Sequence, residues 1–266
     1  MRRNFPLVNL PLKTAVSYFD DNSIGVGDSM QPSDLLDHAI EHEFSQIVQK
    51  PSPKLDREID CSVVMLSDKD RFLNFPLSTI LSPKEASPEK EAELTKFEYR
   101  FDRPMQKYEM LQKLDQVVSP VFKSKLVMND AILVADEFFT NAVFNAPGTS
   151  RDAPLADVQK VRPGRVFAGH DDLHVIIGCE DQYGSLDPRK LLKRIRECVK
   201  HGVADALNFG YGGAGIGTFM IFDACVGLYL GVDKGKRTVI AAALPIRGSY
   251  RQRVGTPKTL HYFRRF

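Results

Sequence analysis

The chain carries almost no net charge, since 36 Lys and Arg stand against 34 Asp and Glu, a surplus of +2. That balance gives no electrostatic ground for a nucleic-acid binder or a strongly membrane-attracted protein. Cysteine is scarce: Cys61, Cys179, Cys198 and Cys225 are scattered without metal-type spacing. Cys179 and Cys225 lie in apolar runs, where buried thiols are expected. No secretory apolar segment follows Met1-Arg2-Arg3, and the longest apolar stretch is too interrupted to span a bilayer. Internal repeats and low-complexity tracts are missing as well. Together these absences point to a globular chain in a reducing, cytoplasmic setting. The stretch Arg251 to Arg265, basic and without a carboxylate, is a local exception to the charge balance.

What is present is apolar residue in quantity, 43% of 266 positions, enough for a full core and somewhat more than one domain. In the first ninety residues, Phe5 to Asp20 and Glu58 to Leu66 have strand character. Between them the spacing predicts a helix over Ser33 to Gln49, with Ser33 as its N-cap. Pro51-Ser52-Pro53 and the run Ser82 to Glu91 punctuate the chain, the second reading as a charged linker or exposed hairpin. A boundary near it gives residues 1–90 as an N-terminal α+β extension or small regulatory domain, and 91–266 as the main domain. From there the pattern is α/β. Lys96 to Asp102 alternates like a half-buried strand, and Pro104 to Val118 reads as a Pro-led helix. Ala146 to Arg165 is a loop. Leu173 to Cys179, Leu228 to Val232 and Thr238 to Ile246 are strands; Pro188 to His201 is a basic helix and Thr218 to Val226 an apolar one.

The helix predicted over Asn129 to Asn145 is the most informative element. Its apolar surface is interrupted by Glu137, Asn141 and Asn145. Four residues turn an α-helix by about 400°, so these groups drift only ~40° per step and form one stripe. A solvated stripe would carry Lys and charge pairs, whereas one carboxylate and two amides suit a magnesium-nucleotide site. An amide oxygen is a hard ligand for Mg²⁺ that adds no charge. A carboxylate one turn earlier can orient or deprotonate an attacking hydroxyl. Two further motifs follow. Asp181 ends an apolar strand in Asp181-Gln182-Tyr183-Gly184. Then Gly212-Gly213-Ala214-Gly215-Ile216-Gly217 precedes Thr218 and an apolar helix, where bare amides and a helix start favour phosphate oxygens.

In this order the motifs resemble the GHKL ATPase superfamily, which includes gyrase-type ATPases, histidine kinase catalytic domains and anti-sigma-factor serine kinases. The likeness covers residues ~95 to 246. It implies a mixed β-sheet with helices on one face, an α/β sandwich, with ATP and Mg²⁺ held between helices and lid. Glu137 and Asn141 match the N-box, as catalytic base and metal ligand, and Asn145 falls near the phosphates. Asp181 matches the adenine-reading Asp, although Asp-x-x-Gly is one residue longer than the family's turn at Gly184. Gly213, Gly215 and Gly217 match the phosphate cradle beside Thr218, and Thr238 the Thr that helps hold adenine. The segment Leu186 to Tyr211 corresponds to the nucleotide lid, where Lys193, Arg194 or Lys200 could meet phosphates. The sequence Glu-Phe-Phe-Thr-Asn-Ala-Val is most similar to the anti-sigma-factor serine kinases. That implies phosphoryl transfer to a Ser or Thr of a protein partner, a sigma factor or anti-anti-sigma-like substrate, in bacterial regulation, with a homodimer as a further expectation. A non-catalytic ATP-binding switch and a histidine kinase catalytic half are the alternatives. His42-Glu43-Phe44 carries the last one, but the downstream Pro is missing and His42 reads as an ordinary exposed histidine. His38 and His42 share a helix face without a third metal ligand.

Overall fold

Alternation with period two, the mark of a strand covered on both faces, organises the centre of the molecule. The computed structural model describes residues 5–10, 23–28, 30–148, 161–202, 214–247 and 256–265. Its strands are β1 (Leu7–Asn9), β2 (Ile24–Asp28), β3 (Gln46–Lys50), β4 (Thr95–Phe101), β5 (Gly164–His170), β6 (His174–Asp181), β7 (Gly227–Asp233), β8 (Arg237–Pro245) and β9 (Thr259–Arg265). They form one mixed sheet in the order β1-β2-β3-β9-β7-β8-β6-β5-β4. β9 pairs antiparallel with β3 and parallel with β7, so it joins the first three strands to the rest.

The helices are α1 (Pro32–Glu41), α2 (Leu55–Ser67), α3 (Lys69–Asn74), α4 (Pro76–Leu81), α5 (Pro88–Leu94), α6 (Lys107–Val118), α7 (Lys125–Thr140), α8 (Pro188–His201) and α9 (Ala214–Ala224). Val175, Ile177 and Cys179 of β6, with Leu228, Leu230, Ala242 and Leu244, pack against α1, α6, α7, α8 and α9. The intervening Ile176, Tyr229, Val239, Ala241 and Ala243 face the other way, onto Cys61, Met65, Phe72, Leu73 and Leu77 of α2 to α4. Every described helix after residue 95 therefore lies on one face, and α2 to α4 supply the cover for the second. Each large apolar side chain so buried contributes roughly 1.5–3 kcal/mol.

Several expectations for the first ninety residues are corrected. Glu58 to Leu66 is not a strand but the body of α2, its buried residues Glu58, Cys61, Ser62 and Met65 recurring at helical spacing. The helix expected over Ser33 to Gln49 ends at Glu41. Glu43 takes a φ of 58°, a left-handed conformation that no helix continues through, and Ile47 and Val48 belong to β3. The residue capping α1 is Gln31, with Pro32 first in the helix, and not Ser33. The run Ser82 to Glu91 is no exposed linker. Ser87 caps α5 by accepting from Lys90 N–H at 3.2 Å, and the buried Glu91 carboxylate accepts from the N–H of Leu77 and Ser78 at 3.1 and 2.6 Å. Of the expected strand Phe5 to Asp20 only β1 is seen, residues 11–20 lying outside the described ones. Strands β2, β5 and β9 are additions to what the sequence indicated. β9 occupies much of the basic stretch, whose Arg265 pairs with Asp70 and Asp233 at 2.8 and 2.6 Å.

Candidate functional site

At the end of the sheet where β6 stops and β8 begins lies a cavity of about 590 Å³, within the range of small-molecule sites. Its floor comes from two neighbouring strands in register: Cys179 opposite Ile240, and Asp181 opposite Thr238. Its wall is α7 and the turn that follows. There the helix widens over Asn141–Asn145 into a π turn, with Ala146 N–H reaching Asn141 C=O at 2.9 Å. Such widenings gather at functional sites, because the inserted residue re-aims its neighbours. Asn141 and Asn145 both line the cavity, the Asn145 amide donating to Asn141 Oδ1. Thr218 of α9 completes this side.

Five of the residues singled out by sequence, Asn141, Asn145, Asp181, Thr218 and Thr238, thus meet around one space. The others are placed differently. Glu137 lies against α9: a Cβ on Gly217 would fall 2.1 Å from the Glu137 carboxyl carbon, so a larger residue there would push the carboxylate aside. Neither Glu137 nor Gly217 is among the cavity-lining residues. Gly184 faces the β7–β8 turn, where a Cβ would lie 2.1 Å from Asp233 C=O, and its φ of 59° also favours glycine. Gly215 stands in the first turn of α9, and Gly213 lies outside the described residues.

Asp181 is the electrostatic centre of the cavity. Burial pushes its carboxyl above the ordinary value, while the N–H groups of Tyr183 and Gly184, at 2.8 and 3.3 Å on Oδ1, and the Thr238 hydroxyl act in the opposite sense. One oxygen is thereby fixed by the backbone, and the carboxylate as a whole only accepts. At the mouth stand Lys190 and Arg194, four residues apart on one face of α8. Asp187, which also lines the cavity, caps that helix through the N–H of Arg189 and Lys190 at 3.1 and 3.2 Å. Of Lys193, Arg194 and Lys200, Arg194 lines the cavity. Lys193 is exposed and is not a lining residue, and Lys200 is held by Asp37 of α1 at 2.9 Å. Lys190 is the residue the sequence reading passed over, although its spacing from Arg194 was the available signal.

His42 ends α1 half-buried, its ring centroid 5.4 Å from that of His38. No cluster of His, Cys, Asp and Glu suited to a metal occurs among the described residues. Among them, too, no helix is long and apolar enough to cross a membrane.

No family model and no curated protein matches the chain. A solved structure, the SiaB–SiaC complex from Pseudomonas aeruginosa, is similar at a TM-score of 0.37 and 15% identity. The match spans 55% of this chain and 88% of that one.

Proposed function

We propose that the cavity beside Asp181 binds ATP with Mg²⁺, as the GHKL resemblance implies. The supporting observation is the convergence of Asn141, Asn145, Asp181, Thr218 and Thr238, from four separate elements, on a space of nucleotide size. Bound Mg-ATP would supply a transferable phosphoryl group. Asp181, an acceptor, would take the exocyclic amino donor of adenine and disfavour the oxygen that guanine presents there. Asn141 would offer its amide oxygen to the metal as a hard, uncharged ligand. Lys190 and Arg194 would draw the phosphates to the mouth, and the first turn of α9 would offer N–H groups.

The fuller reading is a serine/threonine protein kinase of the anti-sigma-factor type, acting on a protein partner in bacterial regulation. Glu137 would then receive the proton of the incoming hydroxyl, which requires its carboxylate to leave Gly217. The present placement of Glu137 favours the second reading, an ATP-binding switch without turnover. Incubation with labelled ATP, magnesium and candidate partners separates the two: label on a partner hydroxyl marks the kinase, binding without transfer the switch.

Two results are expected from calorimetry. Asn141→Ala should weaken Mg-ATP binding by at least about tenfold, a loss of about 1.4 kcal/mol, with the melting temperature little changed. Unaltered affinity would remove the metal assignment. Asp181→Asn keeps the oxygen that the backbone holds, so the fold should persist. The variant should lose most of the preference for ATP over GTP, and equal binding of the two nucleotides by the unaltered protein would already refute the role.

A further inference from the structure

Strands β6 and β8 end in a second cavity at their opposite termini, with His174 registered against Pro245. It lies seven residues along the strands from the first, about 23 Å at 3.3 Å per residue. Its volume is about 230 Å³, too small for a nucleotide and suited to a molecule of a few heavy atoms. Ser52, Glu58, Asp172, His174, Arg247 and Thr256 are its polar lining residues, and Asp172 is held by Lys54 at 3.0 Å. Glu58 of α2 is buried, its Oε1 accepting from Ser52 Oγ at 2.9 Å. Its Oε2 is also buried and has no hydrogen-bond partner among the described residues. An unmatched buried carboxylate oxygen is costly, and a donor brought by a ligand would relieve that cost.

His174 supplies the opposite character. Arg57 binds Asp171 and places Nη2 at 3.2 Å from His174 Nδ1. A guanidinium only donates, so Nδ1 accepts and the ring proton sits on Nε2, on the far side from Arg57. Burial holds this ring neutral at ordinary pH, lowering its pKa to about 4. Arg247, exposed at the rim, adds a cation. Val226, Leu173 and Pro245 contribute apolar wall. A buried acid with an unmatched oxygen, an imidazole whose Nδ1 is taken by Arg57, and a guanidinium line one small space, with Asp172 engaged by Lys54. A simple anion would leave the acid unmatched, and a simple cation would meet Arg247.

We propose that this second cavity is a ligand site for a small zwitterion of the free α-amino-acid class. The ammonium group meets Glu58, the carboxylate meets His174 and Arg247, and a short aliphatic side chain rests on Val226 and Pro245. The proposal is independent of the nucleotide reading.

Calorimetric titration of the whole chain with a panel of free amino acids tests it, with acetate and ethylamine as half-ligands. Saturable binding of a small aliphatic amino acid is expected, with no measurable binding of either half-ligand. Glu58→Gln and Arg247→Ala should each weaken it by about tenfold or more. Melting curves establish that both variants fold, and Arg247→Ala, at an exposed position, provides the reading if Glu58→Gln does not. Silence across the panel at millimolar concentration overturns the proposal. So does affinity indifferent to Arg247→Ala, or acetate binding as well as the amino acid.

Discussion

Lys258→Met is expected to lower the free energy of unfolding by about 3–5 kcal/mol. The ammonium group of this buried lysine donates to the C=O groups of Phe222, Asp223 and Cys225 at 2.8, 3.0 and 2.7 Å. These are carbonyls at the C-terminal end of α9, left without partners by the helix itself, and a cation there also complements the helix dipole. Methionine would fill the space while leaving three acceptors dry. At about 2–4 °C per kcal/mol for chains of this size, the melting temperature should fall by roughly 10 °C. Lys193→Met, at an exposed position of α8, is the control and should change stability by less than about 0.5 kcal/mol. Because α9 carries Thr218 and Gly217, its amides should also exchange faster in the Lys258 variant. A loss below about 1 kcal/mol would show that water or neighbouring groups replace the lysine.

Acid is expected to destabilise the protein progressively as pH falls below 6.5. Burial lowers His261 to about 3 and, with smaller effects of both signs from Asp171, Arg57, Lys54 and Asp172, His174 to about 4. Both are depressed below the ordinary histidine value of 6.5. The folded state therefore refuses protons that the unfolded chain accepts, so this stability is present above pH 6.5 and lost as pH falls below it. For His174 alone the loss approaches roughly 3 kcal/mol by pH 4. Both together rival the 5–15 kcal/mol that is typical of whole domains. Glu58, Glu91 and Asp181, each raised chiefly by burial, act in the opposite sense and recover part of it at the acid end. Denaturant unfolding at neutral pH and near pH 4.5 measures the difference. His261 bonds Gln46 Oε1 through Nδ1 at 2.9 Å, a bond that Asn can reproduce. His261→Asn should therefore flatten the profile by about half; an unchanged slope would mean that His261 does not contribute.

The elements legible in the sequence were those with local punctuation or long apolar runs. α8 begins at Pro188 behind its capping Asp187, and β6 and β8 are nearly unbroken apolar stretches. α2 was hidden because its buried face includes Glu58 and Ser62, while Val63-Val64 imitates a strand. β9 reads as a basic tail until Arg264 and Arg265 find Asp187, Asp70 and Asp233, carboxylates far away in the chain. The candidate site divides in the same way. Asn141, Asn145, Asp181, Thr218 and Thr238 each sit in a short motif and could be named in advance. The contact of Glu137 with Gly217 depends on how two helices pack. That Lys190, and not Lys200, faces the cavity depends on α8 lying between α9 and the acidic side of α1.

The position of β9 bears on how the molecule is made. Three strands at the amino-terminal side attach to the central ones through β9, which is synthesised after all the other described strands. Until residue 265 has emerged, the edges of β3 and β7 have nothing to close against, and the nascent chain must hold two open half-sheets apart from each other.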